Sequence, residues 1–432
     1  MSIYLITSTP AHGHIMPLLQ VARHLVSEGD TVRFLTSHRY ADRVTATGAE
    51  FIALPADADV DLDDADAAFP DRVGLRGPAA LRFDMLNLFL HPASAQLAVL
   101  RAEIANGEVD AILTEPLFLG ASLLNRTPRA ERPPIVVLGS FPLGIADPDV
   151  APFGLGVPPM PGAVGRLRNA VLSTVAAKVI FGPVQREADA LSVRETGAPL
   201  GRFFLDWHGA ADAIIQFTVA GFEYPRRALP DSVHFVGPLA PAASDSALPE
   251  WWADLSAGRP VVHVTQGTIA NTDFGQLVQP TIRGLADRDV LVVVATGGRT
   301  LTDTPADLPA NVRVADYLPY DRLLPLVDVM VTNGGYGGVQ QALAHGVPLV
   351  VAGETEDKVE VSARVGWSRA GVNLRTNRPG AATVAAVVDR VLRDPSYRTR
   401  AKELAAEIGA APGLGGVSAV LAGLRAAGAK TR

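Results

Sequence analysis

Short apolar runs recur along the chain, separated by polar or glycine-bearing turns and by longer stretches whose apolar residues return every three or four positions. The runs at 4–9, 31–36, 51–54, 110–114, 135–138, 212–217 and 233–236 predict strands. After a Pro/Ala/Ser-rich stretch the pattern restarts, with strands predicted at 261–265, 290–295, 312–315, 327–332 and 348–351. Between them, residues 17–27 place apolar side chains at 18, 19, 21, 22, 25 and 26, a helical face. Residues 39–47, 81–90, 251–256, 274–285 and 323–327 also read as helices, as does most of the chain beyond 339. Residues 10–14 read as a turn and 147–162 as a Pro/Gly-rich loop. Strands alternating with helices imply parallel sheets with right-handed crossovers. The fold class is therefore α/β, with two doubly wound, Rossmann-like domains facing each other across a cleft. Ligands in such sheets lie at the carboxyl ends of the strands, near the topological switch point.

Length and composition narrow the classes. A chain of 432 residues exceeds one core. The net charge of -7 argues against a nucleic-acid partner. There is no cysteine, hence no disulfide, thiolate metal site or Cys nucleophile. Residues 1–7 carry no basic segment of the kind that opens a signal peptide, and no window approaches ~18 uninterrupted apolar residues. The expectation is a cytoplasmic protein without stable membrane insertion, monomeric or homodimeric. Six aspartates crowd 57–66. Their spacing suggests a calcium loop, but Leu62 and Ala68 occupy the positions where that loop needs Gly and Glu, so no metal is assigned.

The densest chemical signal is the run 327–343. A buried strand leads into Asn333, Gly334, Gly335, Tyr336, Gly337 and Gly338, and then into a helical pattern through Val339, Leu343 and Val347. Strand, glycine turn and helix N-terminus can present bare N–H groups to a phosphate; a tight packing turn is the other reading. His14, in Ala11-His12-Gly13-His14, follows the first strand and can act as a general base, cap a turn or form half of a His-x-His metal pair. Glu115 ends the strand 110–114 at the same edge and could hold the His14 ring. Thr268 ends the turn after 261–265 and could donate to a phosphate. Tyr317, beside Leu318 and Pro319, could stack on a base or pack in a core. Asp357 and Lys358 follow the strand 348–351 and could reach sugar hydroxyls, or be a solvated loop. Phe83 and Phe89 pack in the core or line an apolar pocket. The loop signature of P-loop NTPases and the hydrolase G-x-S-x-G are absent, and the 334–338 glycines do not have dinucleotide spacing.

Taken in order, Gly13-His14 with Pro17, Tyr317-Leu318-Pro319 and the block 333–358 resemble the inverting nucleotide-sugar glycosyltransferases of family 1, which have the GT-B fold. The likeness is greatest to their bacterial macrolide and natural-product branch, and it covers nearly the whole chain. It implies an acceptor domain at 1–237, a linker at 238–250, a donor domain at 251–410, and a last helix at 411–432 that can pack back on the first domain. It implies His14 as base and Glu115 as its orienting acid. For the donor it implies Thr268, Asn333, Gly334, Gly335, Gly337 and Gly338 at the diphosphate. Tyr317 and Leu318 would lie at the base, Gln341 at the ribose, and Asp357 with Lys358 at the sugar. Phe83, Phe89 and Phe141 would border the acceptor. Four residues depart from the family pattern: Asn333 replaces its His, Gln341 its Glu, Glu115 its Asp and Lys358 its Gln. The implied activity is transfer of a sugar from a UDP- or dTDP-sugar to a hydroxyl of an apolar small molecule, with no cofactor. A nucleotide-sugar epimerase or hydrolase, and a non-catalytic nucleotide-sugar-binding protein, are the alternatives.

Overall fold

The computed structural model describes residues 1–60, 62, 65–240, 247–267, 271, 273–299, 301 and 308–429. Two parallel sheets organise them. The first contains β1 (Ile3–Thr7), β2 (Thr31–Thr36), β3 (Glu50–Ala53), β4 (Ala111–Thr114), β5 (Ile135–Gly139), β6 (Ala213–Gln216) and β7 (Val233–Phe235), in the order β3-β2-β1-β4-β5-β6-β7. The second contains β8 (Val261–Thr265), β9 (Leu291–Ala295), β10 (Val312–Ala315), β11 (Val329–Thr332), β12 (Leu349–Val351) and β13 (Gly371–Asn373), in the order β10-β9-β8-β11-β12-β13. Every pairing is parallel. This is the two-domain α/β architecture that the apolar runs predict.

Both faces of each sheet are buried, which is why the strands read as continuous apolar runs rather than alternating ones. Leu5, Leu35, Ile112 and Val137 point to one face of the first sheet; Tyr4, Ile6, Phe34, Leu113 and Val136 point to the other. In the second sheet Leu291, Val293 and Met330 oppose Val262, Val292 and Val331 in the same way. The order reverses between β1 and β4 in one sheet and between β8 and β11 in the other. The two crevices formed there are where ligands gather in doubly wound sheets.

The helix Pro395–Ala410 contributes Leu404 to the core of the second sheet, together with Val219 and Phe222 from the first domain. The helix Gly413–Ala429 then crosses back. Its Val417 and Leu421 are buried with Tyr4, Ile6 and Val236 against the first sheet.

The structure adds helices that the sequence reading does not name, among them Ala93–Asn106, Gly162–Thr174 and Gly182–Thr196, and it differs from that reading elsewhere. The first helix is His12–Ser27, so 12–14 form its opening turn rather than a preceding loop; Ala11 is its extended N-cap. The helix predicted over 274–285 occupies only Val278–Leu285, because Gln266 Oε1 accepts from the N–H groups of Leu277 (3.2 Å) and Val278 (3.1 Å) and caps it there. The edge strand β13 was not anticipated; three residues give too little periodicity to detect. The greasy segment 81–90 is helical, with a π-helical turn over Met85–Leu90. Among the described residues no single helix is long and apolar enough to cross a membrane.

Candidate active site

β1 and β4 run side by side with Thr7 opposite Thr114, so the chain leaves both strands at the same edge. His14 lies one turn into the helix that follows β1, and Glu115 is the residue after β4. Their side chains meet, with His14 Nδ1 3.0 Å from Glu115 Oε2. The extra methylene that distinguishes Glu115 from an aspartate does not prevent the contact. Glu115 is 0% exposed. Its other partners are the N–H groups of Leu117 at 2.7 Å and Thr9 at 3.3 Å, which pin the carboxylate in place. With Glu115 accepting, Nδ1 carries the proton and Nε2 keeps a free lone pair. The His14 side chain is 21% exposed. Burial alone would lower its pKa. The charge and hydrogen bond of Glu115, joined by the charges of Asp357 and Glu356, outweigh burial, and the net direction is upward.

Asp357 and Glu356 belong to the second domain, so this electrostatic contact crosses the cleft. Phe141, just past β5, lies with its ring centroid 5.7 Å from that of His14. Its carbonyl accepts from Gln216 Nε2 at 2.6 Å, and the same amide lies 3.2 Å from Tyr336 Oη, the first residue of the helix Tyr336–Ala344. One Gln216 side chain therefore joins the wall beside His14 to the mouth of the glycine turn.

That turn has the form the sequence suggests. β11 ends at Thr332, Gly334 adopts φ +84°, and Gly335 is an N-cap with no side-chain hydrogen bond. The first N–H groups of Tyr336–Ala344 are left without intrahelical partners. The glycines serve different ends. A Cβ on Gly334 would stand 2.8 Å from Ser362 Oγ, whereas one on Gly337 would meet nothing within 4 Å. Gly338 has only Met330 Cε nearby, at 3.8 Å. Asn333, where the family has His, donates Nδ2 to the carbonyl of Gln266 at 2.6 Å and so ties β11's exit to β8's exit.

The other expected donor residues are placed as follows. Tyr317 is 64% exposed; its Oη donates to the carbonyl of Gly297 at 2.9 Å, which lays the ring beside the turn after β9. Leu318 is buried in the core of the second sheet. Gln341 is half-buried on the helix Tyr336–Ala344, while its neighbour Gln340 is turned inward to accept from Thr218 Oγ1 at 3.1 Å. Lys358 is buried and paired with Glu356. Burial, with the charge of Glu356 added, pushes the Asp357 carboxyl above the usual range, against Lys358 and His14. Thr268 lies outside the described residues. Of the expected acceptor residues, only Phe141 touches His14. Phe83 packs edge-on against Phe69 at 5.9 Å, and Phe89 packs on the first core. Phe153, unforeseen, stands against Phe141 at 5.8 Å. Gln216 was also missed, since it carries no local pattern, and its contact with Tyr336 joins residues 120 positions apart.

Among the described residues no three His, Asp or Glu side chains converge as a metal site. A cavity of about 310 Å³ bordered by Trp367, Arg375, Arg390 and Tyr397 shares no residue with the His14 group.

Residues 279–424 match the family model of the erythromycin biosynthesis protein CIII-like C-terminal domain. The chain is 41% identical over 409 residues to 4'-demethylrebeccamycin synthase of Lentzea aerocolonigenes, covering 94% of this chain and 95% of that protein. It is 34% identical over 426 residues to UDP-glucosyltransferase 1 of Beauveria bassiana, covering 93% and 90%. Among solved structures, the calicheamicin glycosyltransferase CalG4 superposes with a TM-score of 0.75 at 21% identity, over 98% of each chain. The spinosyn rhamnosyltransferase SpnG complexed with thymidine diphosphate gives 0.66 at 16% identity, over 98% of this chain and 100% of that one. With its two facing parallel-sheet domains and relatives that match it from end to end, the chain belongs to the GT-B nucleotide-sugar glycosyltransferases of family 1, in the bacterial macrolide and natural-product branch.

Proposed function

We propose that the protein transfers a sugar from a UDP- or dTDP-sugar to a hydroxyl of an apolar small molecule, with inversion and without a metal. The observation that carries this reading is the His14–Glu115 pair, 3.0 Å apart, on one side of a cleft that has an uncapped, glycine-rich helix N-terminus on the other. His14 Nε2 takes the proton of the acceptor hydroxyl while Glu115 holds Nδ1–H and stabilises the imidazolium. The acceptor oxygen forms its bond to the anomeric carbon as the bond to the diphosphate oxygen breaks, so a single displacement inverts the centre. The diphosphate leaves with the bonding electrons. The free N–H groups and dipole at Tyr336–Ala344 balance its charge, which is the work a metal would otherwise do. The donor base lies on Tyr317, and the ribose faces Gln341. Lys358 is matched by Glu356, so the sugar meets no uncompensated cation; a neutral hexose is the expected donor. Phe141 and Phe153 give the acceptor an aromatic wall next to the base.

The test is incubation with UDP-glucose or dTDP-glucose and a panel of polycyclic aromatic and macrolide hydroxyl compounds, followed by mass spectrometry and NMR of products. The expected result is an acceptor-dependent β-glycoside from the α-linked donor. Donor loss without acceptor would replace this reading with a hydrolase or epimerase. Tight donor binding with no product on any acceptor would replace it with a binding protein. A thermal-shift panel of UDP and dTDP identifies the base, since a ligand specific for the folded state raises Tm.

A further inference from the structure

Behind the site lies a buried ionic cluster that neither the reaction nor the core requires. Glu223 and Arg226 come from the first domain, Glu360 and Arg364 from the helix Lys358–Ser368 of the second. Arg364 donates Nε to Glu223 Oε2 at 2.9 Å and Nη1 to Glu360 Oε2 at 2.7 Å, and its guanidinium lies 4.1 Å from the centroid of the Tyr224 ring. Two acids and two arginines, all nearly inaccessible to solvent, balance in charge.

The spare atoms of this cluster converge on one segment. Glu223 Oε1 accepts from the N–H of Leu143 at 2.8 Å, and Arg364 Nη2 donates to the Leu143 carbonyl at 3.3 Å. Glu360 Oε1 accepts from two N–H groups, those of Gly154 at 2.8 Å and Gly156 at 2.9 Å. The segment held at both ends therefore runs from Leu143, two residues past Phe141, to Gly156, three past Phe153. Phe153 rests on Phe141, and Phe141 on His14. Glu360 itself sits one helical turn after Asp357, the residue whose charge reaches His14 from the second domain.

We propose that Glu360 is a positioning residue that builds the acceptor wall from the donor side. By gripping Gly154 and Gly156 it seats Phe153 and Phe141 against His14 only when the helix carrying Asp357 and Lys358 is in register with the first domain. The acceptor wall is thereby held from the second domain through one carboxylate. The inference rests on the proposed function for its kinetic consequence, but the grip itself is measurable without turnover.

The test uses the full chain and three variants. Glu360→Gln removes the charge that holds the two N–H groups. Glu360→Asp keeps a charge for Arg364 but draws the carboxylate back from the loop. Phe153→Ala removes the ring that the grip seats. Hydrogen exchange over 143–158 should show protected amides in the wild type and faster exchange in both Glu360 variants, with the β-strands unchanged. In the transfer assay, Glu360→Asp should raise acceptor KM about tenfold and leave donor KM within about twofold. The Glu360→Asp, Phe153→Ala double variant should be no worse than the poorer single one. Unchanged exchange over 143–158 would overturn the proposal whether or not sugar transfer occurs. So would a change in donor KM equal to that in acceptor KM, or additive effects in the double variant. Wild type that shows the exchange pattern but transfers no sugar would sink the proposed function and leave the grip standing.

Discussion

At the exit of β1 the site is made of side chains. His14, Glu115 and Phe141 come from three separate segments and are held by contacts that span up to 127 positions. At the exit of β11 it is made of backbone: a Gly334 in left-handed conformation, an N-cap without a side chain, and the N–H groups of one helical turn. Side-chain chemistry is lost when one atom group is removed. Backbone chemistry survives substitution unless the chain path itself is disturbed. The histidines of the two domains make the same contrast. His263, on β8, is fully buried between the carbonyl of Val293 and Tyr320 Oη, and burial pushes it down to about 4, so it is a neutral structural strut. His14 has an acid partner, and its pKa moves the other way.

The largest effect should come from the side-chain half. His14→Ala should cut kcat by ~10² or more with donor affinity retained, measured by steady-state kinetics and by titration with UDP. A variant that keeps wild-type kcat would remove His14 as base. Next comes Glu115→Gln, expected to lower kcat by roughly tenfold and to shift the pH profile. A base must be neutral to act, so activity in the wild type should rise through a midpoint above the ordinary imidazole value of about 6.5. Without the Glu115 carboxylate that midpoint should fall. Stability carries the opposite sign. With the folded pKa raised, the pair's contribution is fully present below the ordinary value and fades as pH climbs through the raised one. Denaturant titration of wild type and Glu115→Gln at several pH values would show the difference narrowing with rising pH.

The backbone half should separate path from contact. Gly334→Ala must hold a side chain at φ +84° with Ser362 Oγ in its way, and should cost about 1–3 kcal/mol of stability, read by denaturant unfolding. Gly337→Ala meets open space and should leave stability within about 0.5 kcal/mol while raising donor KM. If Gly337→Ala has wild-type donor KM, the diphosphate does not lie over that turn. The smallest effect is Tyr317→Ala. Loss of one exposed stacking face is worth about 0.5–1.5 kcal/mol, or roughly 2- to 10-fold in donor KM.

Much of this was legible in the chain before folding. The strands announced themselves because both faces of each sheet are buried, which leaves no polar alternation to confuse the pattern. His14 and Glu115 were legible as partners because each follows a strand directly and parallel strands exit at one edge. The glycine turn was legible because strand, glycines and helix are contiguous. For Phe83 and Phe89 an apolar face predicts packing but not the neighbours; the structure sets Phe83 against Phe69 and Phe89 on the first core.

By itself, then, the order of residues determined two parallel α/β domains and the switch-point positions of His14, Glu115 and the 333–338 turn. Only tertiary structure decided that Phe153 joins Phe141, that Gln216 bridges to Tyr336, and that Glu360 grips Gly154 and Gly156 across 206 and 204 positions. The physical reason is range. Periodicity and turn chemistry act over a few residues, whereas a buried carboxylate finds its donors wherever packing of the two domains brings them, and nothing near it in the sequence marks which they will be.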